Sequence, residues 1–178
     1  MKHLFLPAVF AVFLFLAACG SSDPESPTIT TIPTNKADID PAGVEQVQIA
    51  EGLMSRTLLQ GDGAIVEVGL TAVVHYTGWL YDEAAENSRG AKFDSSVEHG
   101  AHFRFPVGAG RVIRGWDEGV VGMRIGEVRE LTIAPEMGYG ERGAGGGVIP
   151  PGATLVFVVE LANIEGLTQD GATSDQGN

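Results

Sequence analysis

The stretch RVIRGWDEGVVGM, residues 111–123, constrains the fold more than any other part of this 178-residue chain. Val112, Ile113, Trp116, Val120 and Met123 recur at helical spacing and lay one apolar stripe along about three turns. Gly115 and Gly119 inside it each cost roughly 1 kcal/mol relative to alanine, and so short a helix is unstable alone in water. Packing must therefore hold it. The flanking segments read as strands, so the pattern implies a small twisted sheet wrapped over one helix, with Trp116 anchored in the core. The expected strands are 53–59 and 65–68 around a Gly61-Asp62-Gly63 turn, 71–76 closed by Gly78, 102–105, 127–133 and 155–164. The last is nearly all apolar at first and belongs at the sheet's centre. Residues 81–91, polar and aperiodic, read as a surface bulge ahead of Lys92-Phe93-Asp94-Ser95-Ser96. The 25 glycines favour a loop-rich β protein.

Charge narrows the partners. Eleven basic against 23 acidic residues give a net charge of −12, which disfavours nucleic acid and anionic membrane surfaces. Cys19 is the single cysteine, so no intrachain disulfide or thiolate metal cluster can form. Residues 1–18 read as an export signal, with Lys2 and His3 ahead of an apolar run over 4–16 that is too short to span a bilayer. Leu16-Ala17-Ala18-Cys19 resembles the bacterial lipobox, in which the cysteine is acylated and becomes the mature N-terminus. Gly20 rather than an aspartate after it favours the outer membrane, facing the periplasm. Residues 19–50, rich in Ser, Thr, Pro and Asp, read as a disordered tether of roughly 30 Å average reach, or as a recognition segment that orders on a partner. The domain proper is expected over 51–166, with a second disordered piece over 167–178. On this reading the chain meets a membrane only through its lipid.

Five blocks then occur in order: VHYTG at 74–78, KFDSS at 92–96, VIRGWDEGV at 112–120, GYG at 138–140 and IPPGATLVFVVEL at 149–161. Together they resemble the FKBP family of peptidyl-prolyl isomerases over about 110 residues. The resemblance implies an α+β fold, an antiparallel sheet of five or six strands curled around one short helix with an apolar pocket between them. It places Trp116 on the pocket floor and Val112, Ile113, Phe103 and Ile149 among the substrate-binding walls. Asp94, Tyr76, Tyr139, Phe93 and Phe157 would carry catalysis. The Tyr139 hydroxyl and the Ile113 amide would donate to substrate carbonyls, and Asp94 would lie beside Tyr76 as a carboxylate that tunes polarity rather than as a general base. Read from the residues alone, Phe103 and Phe157 also suit a core, Asp94 a turn cap with Ser95 and Ser96, and Tyr139 a loop; Phe105 is left in the core.

The implied activity is cis-trans isomerisation of X-Pro bonds in exported proteins, with proline-containing polypeptides as partners and no cofactor or metal. The alternative is a non-catalytic proline-peptide binding module or chaperone. Macrolides such as tacrolimus or rapamycin would occupy the pocket. The tether is too short for the helical dimerisation arm of infectivity-potentiator relatives, so a monomer is expected. Gly138-Tyr-Gly-Glu-Arg-Gly143 matches G-x-G-x-x-G, but more glycine and Pro150-Pro151 follow instead of a helix to hold a pyrophosphate. A mobile loop over the pocket suits it better, with a glycine-rich ERGAGGG flap that departs from the commonest family pattern. His99 and His102 lack the companions of a metal site, and His75 belongs in the sheet.

Overall fold

The glycine-spaced stretch forms a helix of only six residues, α1 (Arg114–Gly119), in a computed structural model that describes residues 34–167. Val112 and Ile113 precede it, with Ile113 extended at the N-cap, so the apolar stripe is part loop and part helix. The interior glycines have a packing reason. A Cβ on Gly115 would lie 2.6 Å from Ile133 Cγ2, and one on Gly119 2.7 Å from Leu131 Cδ1. Their missing side chains let the helix backbone press onto the sheet, which offsets their poor helix propensity.

Seven strands make one antiparallel sheet: β1 (Val47–Ala50), β2 (Leu53–Leu59), β3 (Thr71–Tyr81), β4 (Arg89–Ser95), β5 (Phe103–Pro106), β6 (Val128–Ile133) and β7 (Leu155–Glu165). Their order is β1-β2-β6-β7-β3-β4, and β5 pairs with the first half of β3 while β4 pairs with the second. The apolar β7 lies between β6 and β3, in the centre as its composition requires. Alternation along β7 divides the two faces. Phe157, Val159 and Leu161 join the core under α1, whereas Val158 packs with Ala37 and Val128 on the other face.

Several boundaries differ from expectation. β3 does not close at Gly78 but runs through it to Tyr81. A Cβ there would lie 2.7 Å from both Phe157 Cε1 and Phe93 Cζ, so this glycine makes room for two aromatic rings inside a strand. Residues 65–68 form no strand beyond a single bridge from Ile65 to Arg124. The bulge expected over 81–91 is shorter, because β4 already begins at Arg89. The largest correction concerns the tether: residues 36–50 are folded. Lys36–Asp38 form a 3-10 turn capped by the Asn35 side chain, Ala37 is buried, and β1 adds an edge strand that raises the count to seven. Arg89 supplies the reason, donating to the carbonyls of Ala37 at 2.7 Å and Ile39 at 3.2 Å while pairing with buried Glu130 at 2.7 Å. Lys36 pairs with Glu160 at 2.5 Å beside it. The expected signal over 1–18, Cys19, the tether as far as residue 33 and the tail from 168 lie outside the described residues.

Candidate functional site

Where α1 meets β3, β4 and β7, an open cavity of about 190 Å³ remains on the core side of the sheet. That exceeds the roughly 150 Å³ of an engineered cavity able to admit a benzene ring, so a five-membered ring has space. Trp116 forms the floor, 4% exposed, with its indole at near right angles to the rings of Tyr76 (5.1 Å) and Phe157 (5.3 Å). Phe93 stands edge-on to Phe157 at 5.4 Å, and Phe103 edge-on to Trp116 at 5.9 Å. Such edge-to-face pairs fix ring positions and add stability beyond burial. The indole Nε1 is buried without a hydrogen-bond partner among the described residues, a cost of about 1–3 kcal/mol tolerated at this floor.

The polar groups converge on one side. The Tyr76 hydroxyl donates to Asp94 Oδ2 at 2.5 Å, and the Ser95 amide donates to Asp94 Oδ1 at 2.9 Å. Burial above all, then the bond to Asp94, pushes the Tyr76 phenol well above its ordinary range. Burial, then the charge of Asp94, likewise raises the Tyr139 phenol. Both therefore remain hydroxyl donors at neutral pH. Ser96, at the turn that follows β4, donates its amide to the Tyr76 carbonyl at 3.0 Å and accepts the Tyr76 amide on its hydroxyl at 2.8 Å. Asp94 thus has turn-capping and cavity-facing parts at once.

Nine of the ten pocket residues expected from the sequence line this cavity: Tyr76, Phe93, Asp94, Phe103, Val112, Ile113, Trp116, Tyr139 and Phe157. Ile149 does not. It is buried behind the flap and exchanges backbone hydrogen bonds with Ala144 at 2.9 and 3.1 Å, closing the loop at its base. Phe105, left in the core, stacks on Phe103 and is 2% exposed. Arg111 lines the cavity unforeseen, since one more arginine in a charged stretch carries no pattern. His75 lies in β3 with Nδ1 3.1 Å from Ser96 Oγ and its ring 4.0 Å from that of His102. Among the described residues no group of three or more His, Cys, Asp or Glu is arranged to hold a metal ion.

This geometry has counterparts. Residues 63–162 match the sequence profile of the family described as FKBP-type peptidyl-prolyl cis-trans isomerase. The chain is 51% identical over 110 residues to FK506-binding protein 1 of Dictyostelium discoideum, covering 62% of this chain and 95% of that one. It is 50% identical over 113 residues to the FK506-binding protein of Neisseria meningitidis serogroup B, covering 64% and 96%. The crystal structure of AtFKBP13 superposes with a TM-score of 0.58 at 36% identity, covering 67% of this chain and 98% of that chain. A profile that spans more than half of the sequence, and relatives matched along nearly their whole length, show that this chain belongs to the FKBP-type peptidyl-prolyl cis-trans isomerases.

Proposed function

We propose that the chain rotates X-Pro bonds of exported polypeptides by desolvating and twisting the amide, without a covalent step, while held at the cell envelope by a lipid on Cys19. One observation carries the mechanism: a cavity of about 190 Å³ floored by an indole, walled by aromatic rings, and with its one carboxylate tied to a wall phenol. A proline ring offers apolar surface and no N–H, which suits such walls. Resonance holds the X-Pro amide planar against a barrier of about 18–20 kcal/mol. Twisting returns charge from the carbonyl oxygen to the nitrogen and makes the amide less polar. A site that strips water from it therefore destabilises the planar form more than the twisted one. A thousandfold acceleration needs only about 4 kcal/mol, comparable with desolvating one carbonyl.

In this scheme Tyr139 donates from its protonated hydroxyl to a substrate carbonyl. The Ile113 amide, which donates to no group among the described residues while its carbonyl accepts from Trp116 and Asp117, holds a second. Asp94, anchored by Tyr76 and Ser95, sets the polarity beside the twisting bond. Trp116, Val112 and Phe103 grip the ring. The FK506 binding named for the relatives comes to this chain as the expectation that tacrolimus or rapamycin fills the same cavity. The lipobox-like Leu16 to Cys19 and Gly20 support sorting to the outer membrane, facing the periplasm. Replacing Cys19 by serine should then move the protein out of the membrane fraction. The chain acts as a monomer, and a dimer in sedimentation would contradict that.

A proline-limited refolding reaction tests the activity. Acceleration that tacrolimus abolishes is the expected result; suppressed aggregation without acceleration would replace isomerisation with a holding role.

A further inference from the structure

Only two of the ten residues that line the cavity carry charge, Asp94 and Arg111, and they differ in what remains available. Asp94 already accepts from the Tyr76 hydroxyl and the Ser95 amide, and His99 Nδ1 lies 3.8 Å from its Oδ1. Arg111 is exposed and has no hydrogen bond or ion pair among the described residues. Arg104, Arg114 and Arg129 by contrast pair with Glu165, Glu118 and Glu127. The backbone that carries Arg111 is fixed on both sides. The amides of Gly108 and Gly110 donate to the Asp117 carboxylate at 3.0 and 2.7 Å, and Ile113 is the N-cap of α1, its carbonyl accepting from Trp116 and Asp117. A free guanidinium therefore stands at the rim of a prolyl pocket on a short, pinned span.

We propose that Arg111 makes this pocket selective for prolyl peptides that carry a carboxylate side chain one or two residues from the proline; the inference rests on the isomerase reading of the same site. A guanidinium offers paired donors that match a carboxylate's two oxygens. The net charge of −12 opposes anionic peptides at long range. At physiological ionic strength, however, the Debye length is about 8 Å, so charge spread over the molecule is screened while a direct contact is not. An exposed pair of this kind is worth about a two- to fivefold preference.

The test uses the full chain and blocked peptides with a central Leu-Pro, flanked on one side or the other by Glu, Gln or Lys, with exchange followed by NMR. The ratio of kcat/KM for Glu over Lys peptides should be about two to five in the wild type for at least one flanking position. It should fall to near one in Arg111→Ala, invert in Arg111→Glu and survive only in part in Arg111→Lys, which keeps the charge but not the paired donors. Arg104→Glu makes the same change in net charge away from the cavity and should keep the wild-type ratio. A wild-type ratio of one at both positions, or one that Arg111→Ala leaves in place, overturns the proposal. Failure to turn over even the Gln peptides would instead overturn the isomerase reading beneath it.

Discussion

At the scale of single residues, the Tyr76 hydroxyl donates to Asp94 at 2.5 Å and fixes where the cavity's one carboxylate sits. Asp94→Leu should lower kcat/KM about tenfold, and Tyr139→Phe about three- to tenfold, the range of one hydrogen bond. Thermal denaturation should find both folded; unchanged rates would reject the assigned roles, and unfolding would mark the residues as structural. His75 gives a pH dependence. Burial above all, then the neighbouring His102, lowers its pKa, with Lys36 adding to this and Glu160 opposing it. The folded state therefore resists a proton that the unfolded state accepts, so folding stability should be full above about pH 6.5 and decline below it. Denaturant titrations across that range check the sign, and His75→Gln should flatten the slope. Most of the candidate site was legible through the motif blocks that resemble the family, because alternation alone suits Phe103 and Phe157 to a core as well as to a pocket. Arg111 was not, because an exposed arginine is indistinguishable from a solubilising one. Ile149 packs in the same apolar cluster as Trp116 and Phe157, just behind the residues that line the cavity.

At the scale of elements, the helix and five of the strands could be read from periodicity, while the errors cluster where tertiary contacts override local signals. Gly78 looks like a strand end, yet it is a gap for Phe93 and Phe157 that only the folded sheet explains. Residues 34–50 have a linker's composition but dock through two small buried residues, Ala37 and Pro41, and through backbone carbonyls, to which sequence patterns are blind. Arg89 is the clasp. Its side chain is 9% exposed, it lies over Trp79 at 5.1 Å, and it shares Glu130 with Arg56. Arg89→Ala should destabilise the fold by about 3 kcal/mol, since it leaves a buried carboxylate half-compensated and frees two carbonyls. Hydrogen exchange in the same variant should show residues 36–50 opening first, and protection equal to the wild type there would refute the clasp.

At the scale of the whole molecule, the sheet separates two tasks: one face holds the cavity over Trp116 and the other binds the N-terminal segment through Ala37, Arg89 and Glu160. On the proposed mechanism the barrier falls because an apolar cup desolvates the amide, with no proton or nucleophile in flight. The most direct measurement is the solvent deuterium isotope effect on kcat/KM for a blocked Leu-Pro peptide, read by NMR exchange in H₂O and D₂O. A ratio near one is expected. A normal effect of about twofold or more would place proton transfer in the transition state and contradict that mechanism.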